Sequence, residues 1–210
     1  MRLDEQQIKR AILHPNPEIR LKAINYFADS YSDDPSVMPV VIETVELHGR
    51  ESALYRTLRR ADALAQSPPT IEWLINELEM DCDRSDRKWD NYLLSIGLIL
   101  FNADPALIVD RRDRIVSSPG FHKKLIPFLD GRLELHTASW RECWNKLVEF
   151  CQSHPDDEPM TLSTTRTAND IVDALGRKLA NDPAAHDACL AEYAEIEQSG
   201  NEWLGEWSKV

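Results

Sequence analysis

Prolines in this chain stand where apolar helical runs begin, and that placement constrains the fold more than any other feature. The stretch LHPNPEIRLKAINYF, residues 13–27, carries two of them, at its third and fifth positions. Pro15 pushes His14 out of the helical region of backbone space, which ends a first helix capped by Asp4 and patterned by Ile8, Ala11 and Ile12. Asn16 caps a second helix, with Pro17 at its first position, where a missing N–H costs nothing. Ile19, Ala23, Tyr26 and Phe27 are expected to mark one face of that helix. A corner this short forces the two helices to pack as a hairpin.

The same grammar returns along the chain. Residues 32–49 read as a helix entered through Asp34-Pro35 and closed by Gly49, with residues 51–65 as its partner. The next helix starts at Ser67, with Pro68 and Pro69 in its first turn. Residues 88–103 form the most apolar helix, which stops before Asp104-Pro105. Further helices are expected at 105–117, 120–135 and 138–153, and a last hairpin turns at Asn181-Asp182-Pro183. The prolines at 35, 69 and 105 lie 34 and 36 residues apart, which is the period of a helical-hairpin repeat. The entries at 15 and 119 break that period, so the repeat is degenerate. One hairpin cannot bury its apolar face alone, so neighbours must stack. The expected fold is all-α, an array of helical hairpins over residues 1–151. Residues 152–167, with two prolines, an acidic triplet and several Ser/Thr hydroxyls, read as a linker or long loop. Residues 168–210 read as a C-terminal helical hairpin with an acidic, Trp-containing tail.

In residues 4–31 the corner resembles the HEAT-like repeat signature. Pro15 and Pro17 precede the aliphatic Ile19, then Arg20, then Ala23 three residues on. The later hairpins keep the rhythm without the Ile-Arg pair. The resemblance implies a right-handed superhelical stack of helix pairs, an α-solenoid, whose curved surface binds a partner. It also implies two alternatives known among HEAT-like proteins. One is nucleic-acid binding in the manner of the alkylpurine DNA glycosylases, with Trp140, Trp144 and Asp130 cast beside a stripe of arginines. The other is a tetrapyrrole lyase or chaperone.

Charge separates the regions. The net charge is -12. Residues 1–49 carry 5 basic and 8 acidic groups, residues 50–146 carry 15 of each, and residues 147–210 carry 4 and 13. A strongly acidic whole repels nucleic acid and anionic membrane at long range. Arg56, Arg59 and Arg60, then Arg84, Arg87 and Lys88, then Arg111, Arg112 and Arg114 nevertheless form basic clusters on successive helices. Asp81, Asp83, Asp86, Asp90, Asp110 and Asp113 interleave with them, so salt bridges between neighbouring helices explain the same charges. No stretch approaches the ~20 apolar residues of a membrane span. The N-terminus is polar and shows no secretory signal, so a cytoplasmic protein is expected.

Chemistry finds little support in the motifs. No phosphate-cradling glycine pattern and no nucleophile elbow occurs, and seven glycines leave few places for one. Cys143, Cys151 and His154 fall within a modest arc of one expected helix, but Cys143 and His154 are then ~16 Å apart, too far to share a zinc ion. The four cysteines are read as reduced thiols. His14 and His48 read as helix-end residues. No catalytic residue, metal or cofactor is assigned. The expected function is a non-catalytic protein-interaction scaffold. Arg56, Arg59, Arg60 and Arg87 on the middle surface, and Glu192, Glu195 and Glu197 on the acidic one, are its candidate contacts. Trp203 and Trp207, an i,i+4 pair, are candidate aromatic anchors that alternatively cover the open end of the last hairpin.

Overall fold

The computed structural model describes residues 4–30, 32–50, 58–81, 86–154 and 162–198, with backbone alone at 162–164 and 196–198. All regular structure among the described residues is helical. The chain divides into two compact units, Met1–Leu129 and Asp130–Val210.

Unit 1 begins with α1 (Glu5–Ala11), held by a reciprocal capping box: Gln7 N–H donates to Asp4 Oδ1 at 2.7 Å, and Asp4 N–H to Gln7 Oε1 at 3.1 Å. Helix α2 (Pro17–Asp29) starts as its caps predict, with Asn16 Oδ1 accepting from Glu18 N–H at 2.9 Å. Its buried stripe is Arg20, Ala23, Ile24, Phe27 and Ala28. Ile19 and Tyr26, expected inside, are 38% and 43% exposed. The stripe is turned because Arg20 goes inward, where its guanidinium donates to the His14 and Pro15 carbonyls at 2.8 and 2.9 Å.

Helix α3 (Val37–His48) is entered through Asp34, whose carboxylate accepts from Ser36 N–H, Ser36 Oγ and Lys9 Nζ. Thr44 Oγ1 donates to the Ile12 carbonyl at 2.8 Å, which ties α3 to the end of α1. Gly49 closes α3 at φ +81°, a conformation that favours glycine. A single 3-10 turn, Ala61–Ala63, then leads into α4 (Pro68–Glu79). Residues 51–57, part of the expected partner of α3, lie outside the described residues.

Helix α5 (Arg87–Asn102) is buried almost all round, at Tyr92, Leu93, Ser95, Ile96, Gly97, Ile99, Leu100 and Phe101, as its composition requires. It packs against α4 and the 3-10 turn. After Asp104 the chain bends by 116° into Pro105–Ser117. That segment is broken into α6 (Pro105–Ile108), a 3-10 turn and α7 (Arg112–Ser117) where one continuous helix was expected. Gly120 N–H then donates to the Leu78 carbonyl at 2.8 Å.

Helix α8 (Ile126–Thr137) begins six residues later than expected, because a 3-10 turn at Lys123–Leu125 occupies its approach. Unit 2 opens within α8 and continues through α9 (Trp140–Ser153), α10 (Leu162–Ala180) and α11 (Pro183–Gln198). Its core joins Leu135, Cys143, Trp144, Leu147, Cys151, Ile171, Ala174, Leu175 and Cys189. Cys143, Cys151 and Cys189 are free thiols inside it. Helix α10 starts at Leu162, within the stretch read as linker, and turns into α11 at the expected Asn181-Asp182 corner. Among the described residues, no single helix is long and apolar enough to cross a membrane.

Candidate functional site

Three junctions between helices of unit 1 meet around a cleft of about 570 Å³. Ser32 and Asp33 come from the run between α2 and α3. Asp62 to Gln66 come from the 3-10 turn and the approach to α4. Asn102, Ala103, Asp104 and Leu107 come from the bend between α5 and α6. Proline-entered corners expose carboxylates and amides where helices exchange partners, and here three such corners line one cleft.

Local bonds hold the lining in place. Asn102 Nδ2 donates to Asp62 Oδ2 at 3.1 Å, joining the end of α5 to the 3-10 turn. Gln66 Nε2 donates to the Leu64 carbonyl at 2.9 Å, while its Oε1 accepts from Thr70 Oγ1 at 3.0 Å. Asp104 caps α6 by accepting from Ala106 N–H at 3.0 Å. Leu64 and Leu107 contribute apolar wall. The cleft therefore offers three carboxylates and two anchored amides over an apolar lining, an arrangement suited to a cationic group with a hydrocarbon stem. Among the described residues no group of three or more His, Cys, Asp or Glu is placed to hold a metal ion, so Asp33, Asp62 and Asp104 do not form such a site.

The residues singled out in the sequence fall elsewhere. Arg59 and Arg60 are exposed just before the 3-10 turn, and Arg60 pairs with Asp29 at the end of α2. Arg87 is exposed at the first position of α5. Glu192 pairs with Arg141 inside unit 2, and Glu195 is exposed. Arg56, Trp203, Trp207 and the side chain of Glu197 lie outside the described residues.

Arg111 and Arg114 are brought together, on Glu72 of α4. Arg111 Nε reaches Glu72 Oε1 at 2.6 Å, and Arg114 binds Glu72, Asn76 and Glu79 at 2.7 to 2.8 Å. Arg111 first, then Arg114, holds the Glu72 carboxyl below its usual range. These charges are the inter-helix ion pairs that interleaving suggested, but the partners are glutamates of α4. Helix α7 packs on α4, which sets Arg111 and Arg114 against its glutamates and not against the aspartates beside them in sequence. Arg112, which pairs with Asp113, is the exception.

Trp144 is buried in the core of unit 2, and Trp140 carries the Arg141 guanidinium over its ring at 4.4 Å. Cys143 and Cys151 are core residues, and the His154 ring stacks on Phe150 at 4.4 Å. Burial pushes the Cys143 and Cys189 thiols up, away from the reactive thiolate form.

The cleft residues went unread in the sequence. Asp33, Asp62 and the pair Asn102 and Asp104 come from three separate stretches of the chain, and of them the sequence marks only Asp104, as the stop before Pro105. The available signal was the clustering of Asx residues at the same junctions as the prolines. Comparison of the chain with protein-family models, with curated proteins and with solved structures found no match.

Proposed function

We propose that this chain is a non-catalytic protein-interaction scaffold of HEAT-like helix-pair type, and that it binds a cationic segment of a partner protein in the cleft of unit 1. The observation that carries the reading is the cleft itself: Asp33, Asp62 and Asp104 around about 570 Å³ of open space, with Asn102 and Gln66 held by their own bonds. A lysine or arginine stem fits the apolar lining while its charge meets the carboxylates. Steering by the acidic chain raises the on-rate for such a partner and weakens with salt.

The helix-pair reading is supported by Arg20. In the resemblance, an arginine follows the proline corner. Here it is buried and bonded to two carbonyls of that corner, which gives the residue type a physical task. The nucleic-acid alternative draws no such support, since Arg60, Arg111 and Arg114 are engaged by carboxylates and Trp144 is in a core.

Fluorescence anisotropy with a labelled lysine-rich peptide tests the reading. Wild type is expected to bind with a Kd of roughly 10 μM at ~50 mM salt, and Asp33→Asn/Asp62→Asn/Asp104→Asn to lose about tenfold or more. Glu192→Gln/Glu195→Gln serves as the control for the acidity of unit 2. Equal binding by the cleft variant, or loss only with the control variant, would refute the cleft. Tighter binding of a duplex DNA than of the peptide would refute the scaffold.

A further inference from the structure

Away from the cleft, Glu77 is enclosed between α4 and α5, with only 5% of its side chain exposed. Its carboxylate is filled from two directions. Arg50 donates from Nε to Oε2 at 2.6 Å and from Nη2 to Oε1 at 2.5 Å, the parallel fork that matches a planar cation to a planar anion. Tyr92, itself fully buried on α5, donates its hydroxyl to Oε2 at 2.6 Å. Burial, and then the charge on Glu77, push the Tyr92 phenol up, so it remains a donor across the ordinary pH range.

The three members are not equivalent. Glu77 and Tyr92 are carried on packed helices. Arg50 follows Gly49, the residue that closes α3 at φ +81°, and its side chain is 30% exposed. The buried face of the cluster is therefore a preformed acceptor, and the guanidinium reaches it from the solvent side. An ammonium in the same place could not make two parallel bonds.

We propose that Glu77 and Tyr92 form a guanidinium-binding site, which this chain fills with its own Arg50. The ligand class is an alkylguanidinium, the head group of an arginine side chain. The site recognises the shape of the fork as well as its charge, and it accepts a free guanidinium once Arg50 is removed.

Chemical rescue tests this on the whole chain. Arg50→Ala leaves a buried carboxylate without its cation and is expected to lower the unfolding midpoint by about 10 °C. Methylguanidinium at ~20 mM, far below denaturing concentrations, is expected to restore roughly 5 °C if it binds with a Kd of about 1 mM. Methylammonium at the same concentration should restore nothing, and neither compound should raise the midpoint of wild type or of Arg50→Ala/Glu77→Gln. Arg50→Lys keeps the charge and is expected to lose roughly 5 °C, which decides the matter even if Arg50→Ala does not fold. A wild-type midpoint for either single variant, no rescue, rescue by methylammonium, or rescue that persists without the Glu77 carboxylate would each overturn the proposal.

Discussion

Arg20 Nη1 donates to the carbonyl of His14 at 2.8 Å, so a side chain from inside α2 caps the corner through which the chain enters that helix. The same nitrogen reaches the Pro15 carbonyl at 2.9 Å. Two carbonyls of the corner between α1 and α2 are thereby satisfied by one cation, and burial pulls the guanidinium's pKa down without removing its charge. Replacing Arg20 with Met keeps the apolar stem and removes the donors. It is expected to cost about 1–2 kcal/mol, since two hydrogen bonds from a charged donor to the corner are lost. Urea unfolding measures the loss, and an unchanged midpoint would show that the corner holds without it.

Gly120 makes a close approach of a different kind. A Cβ there would stand 2.6 Å from the Leu78 carbonyl oxygen and 2.9 Å from the Leu78 Cα, both backbone atoms of the α4 end. Gly120→Ala is expected to destabilise by about 2 kcal/mol, because neither backbone can retreat without breaking the 2.8 Å bond between them. Gly131→Ala, where a Cβ meets nothing within 4 Å, is the matched control and should be neutral or slightly stabilising.

Acid should act on the α1–α3 tie. Lys9, followed by Ser36, pulls the Asp34 carboxyl down from 3.8 to about 2. A folded-state value below the unfolded one stabilises above the unfolded value and is lost as pH falls through the folded one. The contribution of Asp34 is therefore nearly whole above about pH 4, falls as pH drops toward 2, and is gone below about pH 2. Asp34→Asn should be less stable than wild type at pH 6, and the gap should close between pH 4 and 2. Thermal melts across that range give the difference curve. A gap that stays constant would mean that Asp34 acts only as a hydrogen-bond acceptor. Because its side chain is 39% exposed, solvent screening keeps the effect small.

The thiols of unit 2 should be silent while it is folded. Cys143, Cys151 and Cys189 are 0%, 4% and 6% exposed, and burial raises the first and last away from the thiolate. Brief treatment of the native protein with iodoacetamide at pH 8, followed by peptide mapping, should leave all three unmodified, whereas treatment in urea should modify them. Rapid native labelling at any of them would place that thiol outside the core.

Corners were legible in the sequence because proline and Asx residues act locally. Asp4, Asn16, Gly49 and the Asp104-Pro105 break stand where their chemistry puts them. Helix faces were less legible. The apolar pattern of α2 groups Ile19 and Tyr26 with Ala23 and Phe27. Yet Arg20 is buried and Ile19 and Tyr26 are exposed, because the carbonyls of the preceding corner draw the guanidinium inward. The charge pairs followed the same rule: the partners of Arg111 and Arg114 lie 35 to 42 residues away, on a helix whose packing no local pattern specifies. The cleft and the Arg50–Glu77–Tyr92 cluster were invisible for that reason. Each is assembled from residues distant in sequence, such as Arg50, Glu77 and Tyr92, that a local pattern does not join.

Amide chemical-shift mapping on the 15N-labelled chain, titrated with an unlabelled lysine-rich peptide, tests the proposed function most directly. The largest changes are expected on Asp33, on Asp62 to Gln66, and on Asn102, Ala103, Asp104 and Leu107, and they should shrink as salt is raised. Changes centred instead on Arg59, Arg60 and Arg87, or on Glu192 and Glu195 in unit 2, would contradict it.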